Sequence, residues 1–253
     1  MDLGLKDRVA IVTGGSRGIG RAIALALADE GCHVAICARG EEALRKTEAE
    51  LRERGVSVHA EPLDLNDASA IEGYVDRVAA ALGGVDVLVN NVGGTARGAS
   101  EDESWQGTFD INLMAAIRAT RASLPHMRAR GGGSIIHITS IYGRESGGGA
   151  PYNAMKSAMN SHAKSLALQL APEGIRVNAV APGSVQHPGG SWDRRVQEDP
   201  EGMKRFVEQN IPSGRFGRAD EIADVVVFLA SNRASWVTGA CINVDGGQSR
   251  SNI

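Results

Sequence analysis

A chain of 253 residues that is 42% hydrophobic and 23% charged is long enough to bury a full core, which excludes a disulfide-stapled mini-protein and a disordered polymer. Its formal charge of -3 provides no basic field for a phosphate backbone, so nucleic acid is excluded as a main partner. The 32 glycines exceed the average usage of roughly 7%, but only 8 prolines accompany them and no G-x-y period runs through them, so they mark tight turns in a folded protein.

Arg8 to Thr13 is a short apolar run that meets Gly14-Gly15-Ser16-Arg17-Gly18-Ile19-Gly20, and a helical pattern with Ile23, Leu27 and Ala28 on one face follows to Glu30. His33 to Ala38 reads as a second strand, Glu41 to Arg54 as a charged amphipathic helix, Val56 to Glu61 as a third strand and Ala68 to Leu82 as a helix closed by Gly83-Gly84. Val85 to Asn90 and Ser134 to Thr139 are strands apolar enough to be covered on both faces, with a helical stretch from about Glu103 to Arg130 between them. Pro151 opens a helix whose stripe of Ala154, Met155, Ala158, Leu166 and Leu170 ends near Pro172-Glu173-Gly174. Ile175 to Ala181 is a sixth strand. The stretch from Ser184 to Pro200, rich in proline, glycine and mixed charge, predicts a long substrate-side loop within a lid at about 184–215. Asp220 to Ala230 is again helical, and Cys241 to Val244 is a seventh strand closed by Asp245-Gly246-Gly247. Strands alternating with helices throughout predict one Rossmann-type α/β domain over 1–253, a doubly wound parallel seven-stranded sheet with helices on both faces.

Cys32, Cys37 and Cys241 are odd in number and widely spaced in apolar runs, the pattern of buried thiols in a reducing compartment. No window reaches about 18 uncharged apolar residues, and none of the 6 histidines has a metal-binding spacing. A cytoplasmic protein without membrane contact or metal is expected.

Glycines 14, 18 and 20 lie between a strand and the helix it feeds, where exposed N–H groups and the helix dipole hold a pyrophosphate and missing side chains let it approach. No Walker lysine is present, as Ile19 and Arg21 flank the last glycine, which disfavours ATP hydrolysis. At the end of the second strand Cys37-Ala38-Arg39-Gly40 offers no carboxylate for the ribose hydroxyls of NAD. Arg39, helped by Arg17, can instead pair with a 2′-phosphate, so NADP(H) is the preferred cofactor; the alternative, that both are solvated surface arginines, leaves NAD(H) open. Asp64 can accept from the adenine amino group.

Tyr152 and Lys156 stand four residues apart on one helix face. An ammonium there, with a nicotinamide cation, is expected to lower the tyrosine pKa toward an acid/base role. Ser140 at the end of the fifth strand can donate to a carbonyl or alkoxide oxygen, and Asn112 can support a water beside the lysine. Singly, each has a structural explanation as core aromatic, surface amine, cap or packing amide; together, behind a dinucleotide turn, they fit one hydride-transfer site.

On these residues the chain resembles the short-chain dehydrogenase/reductase family over nearly its whole length, and within it the 3-oxoacyl-[acyl-carrier-protein] reductase-like branch. The resemblance rests on Thr13 through Gly20, Asn90-Asn91-Val92-Gly93, the tetrad Asn112, Ser140, Tyr152 and Lys156, and Asp245-Gly246-Gly247. It implies that Ser16, Arg17, Ile19, Leu65, Asn90, Val92 and Gly93 line the cofactor, that Lys156 binds the nicotinamide ribose, that Pro182 and Gly183 border the nicotinamide and that Val185 faces its carboxamide. It also implies a homotetramer. Val92 replaces the usual alanine, the Ser140–Tyr152 interval is one residue short, and Ser184-Val185-Gln186-His187 lacks the common threonine. In place of a carrier-docking arginine the chain has Gln169, Pro172 and Glu173, with Arg128 and Arg130 remaining. A small free ketone or secondary alcohol is therefore the expected substrate, with an acyl-carrier thioester as runner-up and a non-catalytic NADP-binding scaffold as the third reading.

Overall fold

The structure is a computed structural model that describes residues 2–252. Seven strands form the sheet: β1 (Val9–Thr13), β2 (His33–Ala38), β3 (Val58–Pro62), β4 (Val87–Asn90), β5 (Gly133–Ile138), β6 (Ile175–Pro182) and β7 (Cys241–Val244). Their order is β3-β2-β1-β4-β5-β6-β7, and every pairing is parallel. The chain winds outward from β1 to β3, returns to β4 and winds the other way, so the exits of β1 and β4 diverge and open a crevice at the carboxyl ends of the strands.

Strict alternation along the strands explains why both faces are covered. In β1, Ala10 and Val12 face a layer made by α1 (Gly18–Asp29), α2 (Glu41–Arg52) and α9 (Ala219–Ala230), where Ile23, Leu27, Leu44 and Val226 are buried. Val9 and Ile11 face the opposite layer, made by α3 (Ala68–Leu82), α5 (Ala115–Ala129) and α6 (Ala150–Leu170), with Ile71, Ala119 and Ala163 against them. Capping sets helix ends where the sequence provides for it. The Asp67 carboxylate accepts from the N–H groups of Ser69 and Ala70 to start α3, and Gly83, at φ +90, ends it.

Two stretches differ from the sequence expectation. The single helix expected over 103–130 is α4 (Glu101–Phe109) and α5, joined by a π-helical turn at Asp110–Met114. The wider turn lets Asn112 point inward and donate to the Thr108 carbonyl at 2.7 Å. The expected loop from Ser184 to Pro200 instead contains α7 (Ser191–Glu198), and α8 (Pro200–Asn210) follows it at once. Pro200 opens α8 and the Asp199 carboxylate caps it at Gly202 N. Trp192 stacks on Phe206 and packs against Phe216, with ring centroids 4.8 and 5.3 Å away, so three aromatic rings give these short polar helices an anchor.

At the opposite end of the sheet, Asp86 ties the middle together. Its buried carboxylate accepts from Val9 N and Arg8 at 2.8 Å and from Arg130 at 3.2 Å. Burial opposes ionisation, but the Val9 N–H and the two guanidinium groups outweigh it and hold the carboxyl below its ordinary range. Asp86→Ala is expected to cost about 2–4 kcal/mol in urea unfolding at pH 7, because it orphans a buried N–H and two paired cations. Since the folded-state pKa is the lower one, this contribution is complete above roughly pH 4 and disappears as the pH falls through the folded-state value, so the variant and the parent converge in stability in acid.

Candidate active site

The crevice edge is built from the exits of β1 and β4. Thr13 Oγ1 donates to Val89 O and accepts from Asn91 N at 3.0 Å and Val92 N at 3.3 Å. Asn91 Nδ2 returns bonds to Thr13 O and Gly14 O. The turn so fixed leads into α1 through Gly18 at φ +56, a conformation that side chains rarely adopt. A side chain at Gly20 would collide with the Gly14 carbonyl and the Asn91 amide, so the turn and helix close only on glycine there. Ser16 holds this turn to α2, its carbonyl accepting from Thr47 Oγ1 at 3.0 Å, and Ile19 packs at the margin of the core.

Arg17 and Arg39 are both exposed, and the guanidinium of neither forms an ion pair or hydrogen bond among the described residues. Two uncompensated guanidinium groups at the exits of β1 and β2 suit an anionic group between them. Asp64 is exposed after β3 and accepts from Asn66 N at 3.0 Å, leaving carboxylate capacity for a donor such as an adenine amino group. Leu65 is placed differently from the expectation: its side chain is 4% exposed and belongs to the core.

Asn90 is 2% exposed at the end of β4. Its Nδ2 contacts Thr120 Oγ1 and His137 Nδ1, each at 3.1 Å, while Oδ1 is buried without a partner. His137 is in turn linked to His162 at 3.1 Å, and burial, with His162 and the Lys156 charge, drives its pKa down to about 3, so it remains neutral. Val92 packs against the core beside Gly93. A dinucleotide fits this end of the sheet: the glycine cradle admits a diphosphate and the two free guanidinium groups suit an anion.

The tetrad comes together on one side of this cradle. Ser140 follows β5, is 7% exposed and accepts from Tyr142 N at 3.1 Å, and its hydroxyl is near enough to the Tyr152 phenol to favour the phenolate. One turn along α6, Lys156 is 3% exposed; its Nζ donates to Ile138 O at 2.9 Å and stands 5.5 Å from the Tyr152 ring centroid. Asn112 is fully buried and fully engaged, its Nδ2 donating to Gly94 O and Thr108 O and its Oδ1 accepting from Gly94 N. Its side chain thus fastens the loop after β4 to the π-helical turn.

In the protein alone, burial governs the electrostatics of the pair. Burial raises the Tyr152 pKa despite the nearby Ser140 hydroxyl, and burial lowers Lys156 to about 7. Desolvation favours the neutral form of both groups, so in the protein alone the phenol keeps its proton and the amine shares its charge with the neutral form near pH 7.

The remaining predicted residues lie where β6 ends. Pro182 closes β6, Gly183 N bonds Val244 O, and a side chain on Gly183 would meet Asp245 and Gln248. Val185 differs from the expectation, for its side chain is 8% exposed and packed in the core while its backbone bridges Gly217. Sequence reasoning did not place His187, whose ring lies against Gly18 of the glycine turn. A side chain on Gly190 would meet the same ring. A cavity of about 700 Å³ lies between α7, α8 and residues 214–218, with His187, Met203 and Phe216 in its wall; none of the tetrad lines it.

Comparison with known proteins accords with this geometry. The family described as enoyl-(acyl carrier protein) reductase matches residues 14–249. The chain belongs to the short-chain dehydrogenase/reductase family. It is thus an NAD(P)-dependent oxidoreductase by type. It is 36% identical to 3-oxoacyl-[acyl-carrier-protein] reductase FabG of Escherichia coli (strain K12), over 97% of this chain and 98% of that one. Among solved structures it is similar to L-sorbose reductase from Gluconobacter frateurii in complex with NADPH and L-sorbose, with a TM-score of 0.93, 34% identity and coverage of 99% and 100%. It is similar too to an NAD+-bound xylitol dehydrogenase, with a TM-score of 0.89, 31% identity and coverage of 96% and 99%. No helix among the described residues is long and apolar enough to cross a membrane, and no cluster of ligating side chains among them could hold a metal.

The packing around Gly93 gives a direct check on this site. A methyl group there would lie 2.5 Å from Asn112 Oδ1 and 2.8 Å from Lys156 Nζ. Gly93→Ala is expected to weaken NADPH binding, followed by cofactor fluorescence, by about tenfold or more while the far-UV circular dichroism stays that of the parent.

Proposed function

We propose that the protein is an NADP(H)-dependent oxidoreductase acting on a small free ketone or the corresponding secondary alcohol, with Tyr152 as general acid/base. The observation that carries the reaction type is the Tyr152–Lys156 pair, with the buried Lys156 Nζ 5.5 Å from the Tyr152 ring centroid, next to Ser140 at the end of β5 and beside the glycine cradle. NADP(H) is preferred to NAD(H) because Arg17 and Arg39 are unpaired and no carboxylate ends β2.

When bound, NADPH supplies the hydride. The chain contributes the rest of the chemistry. Ser140 donates a hydrogen bond to the carbonyl oxygen and holds it against Tyr152, which surrenders its phenolic proton as negative charge develops on that oxygen. Lys156, as ammonium, stabilises the phenolate that remains. Asn112 keeps the loop at Gly93 and Gly94 in place above the lysine. Because burial holds the proton on Tyr152, the resting site is poised to donate it, and alcohol oxidation runs the same steps backward. Residues 184–215, with α7 and α8, serve as the substrate lid of a single domain.

A small substrate is favoured by the state of the basic residues that would greet an acidic carrier. Arg128 is paired with both Glu173 carboxylate oxygens, and Arg130 with Asp86. The likeness to FabG keeps a carrier-bound 3-oxoacyl thioester as the second reading, within the same family branch. Absorbance at 340 nm against a panel of free ketones and acyl-carrier thioesters, with NADPH and NADH in parallel, separates the readings. Turnover confined to the thioester would overturn the first, and cofactor binding without turnover of any member would favour a scaffold. Tyr152→Phe is expected to lower turnover at least a hundredfold while NADPH still binds.

The assembly proposed is a homotetramer in the cytoplasm. Trp236, 98% exposed before β7, and Leu168, 72% exposed on α6, are large apolar surfaces that such contacts would cover. Trp236→Asp is expected to reduce the mass measured by light scattering from four subunits to a smaller species.

A further inference from the structure

We propose that Glu145 and Gln248 are positioning residues, which use the chain after β7 as a strap to join the exit of β5 to the exit of β6. The proposal rests on the hydride-transfer reading above and concerns how the walls of that site keep their spacing. Ser140 leaves β5 and Ser184 leaves β6, and the ladder between these neighbouring strands ends with Thr139 N on Val180 O. Past that point no hydrogen bond among the described residues joins 140–149 directly to 183–190. The chain that follows β7 spans the gap.

Asp245 turns that chain back. Its carboxylate accepts from Gly247 N at 2.9 Å and Ser249 N at 2.8 Å, and Gly246 and Gly247, at φ +63 and +82, supply the bend. The reversal sets Gln248 beside Gly183, where a Cβ would lie 2.8 Å from Gln248 Oε1 and displace the amide. Gln248 Oε1 accepts from Ser184 N at 2.8 Å, and its Nε2 donates to Ser184 Oγ at 3.0 Å. A backbone N–H can only donate, which fixes the orientation of the amide.

The next residues reach the other wall. Glu145 Oε2 accepts from Ser249 Oγ at 3.1 Å and from Arg250 N at 2.8 Å. Glu145 follows the short turn behind Ser140, its N–H bonded to Ile141 O, and Arg144 beside it donates to Cys241 O and Asn243 Oδ1 of β7. From the opposite side Ser157 and Asn160 of α6, the helix that carries Tyr152 and Lys156, hold the Gly143 carbonyl. Arg144 thus anchors the loop on β7, while Glu145 ties it to the strap and Gln248 ties the strap to Ser184. The last two ties act in series, so loss of either releases one exit from the other. Carbonyl reduction needs its hydride and proton donors set together, and an error of about 1 Å costs up to about a hundredfold in rate.

The test compares the full-length parent with Glu145→Leu, Glu145→Gln, Gln248→Met and the double variant Glu145→Leu/Gln248→Met, on a free ketone that the parent reduces. Expected for each apolar variant are a fall of about ten- to a hundredfold in kcat, NADPH affinity by fluorescence within about twofold of the parent, and a larger isotope effect on kcat with NADPH deuterated at C4. The double variant should fall no further than either single one, because the ties act in series. Glu145→Gln, which keeps an acceptor for Ser249 and Arg250, should restore kcat to within about twofold of the parent. Hydrogen exchange of the protein alone gives a readout without turnover: in Gln248→Met the amides of 141–149 should exchange faster, although Gln248 hydrogen-bonds none of those residues. Parental kcat in Gln248→Met overturns the proposal, and so does parental exchange at 141–149. Additive losses in the double variant overturn it too, since they would make the two side chains independent props. A parent that reduces no ketone would instead overturn the reaction reading, and this proposal with it.

Discussion

The bond between the exits of β1 and β4 is the constraint on which the rest depends. Reversal of strand order forces these two adjacent strands to send their chains apart, and nothing in the sheet ladder holds the diverging ends. Thr13 Oγ1 and the Asn91 amide do so with five side-chain bonds to backbone across the split. One consequence is the conformation of the glycine turn; another is the position of the loop at Gly93 and Gly94, which Asn112 then fastens to the helix side. Cofactor cradle and proton-transfer pair are thereby held to one rigid edge, so their spacing is a property of the sheet rather than of flexible loops.

Burial then sets the chemistry of that edge. Lys156 is withdrawn from water with a backbone carbonyl as its hydrogen-bonding oxygen, and the neutral His137 behind it adds no opposing negative charge. The outcome is a site that carries little fixed charge of its own beyond a shared proton. Charge is left to the peripheral arginines at the exits of β1 and β2, where long-range attraction to an anion is least costly to maintain.

Most of the fold was legible because it follows from local chemistry. Strands covered on both faces read as continuous apolar runs, and β2 and α3 have the limits expected from the sequence. The glycine turn was legible for a related reason: glycine at 14, 18 and 20 answers a backbone demand that no other residue meets. Tyr152, Lys156, Ser140 and Asn112 are brought together as their spacing and resemblance implied. What escaped depends on contacts distant in sequence. The helices α7 and α8 owe their anchor to Phe216 beyond their own span, Leu65 and Val185 turn into the core instead of the crevice, and the sign of the tyrosine shift is decided by desolvation, which no pairwise spacing reveals.

The π-helical turn between α4 and α5 holds a different implication, for the register of insertions and deletions. A single residue removed between Asp110 and Met114 would restore a regular helix: the wide turn is what absorbs the extra residue, so α4 and α5 would keep their faces while the inward-pointing position of the turn was lost. Asn112 would then swing off the loop it fastens, while every residue of the site kept its identity. Length, in this segment, is as much a part of the active site as any side chain, and a homologue differing here by one residue would need its proton-transfer machinery rebuilt even at full identity elsewhere.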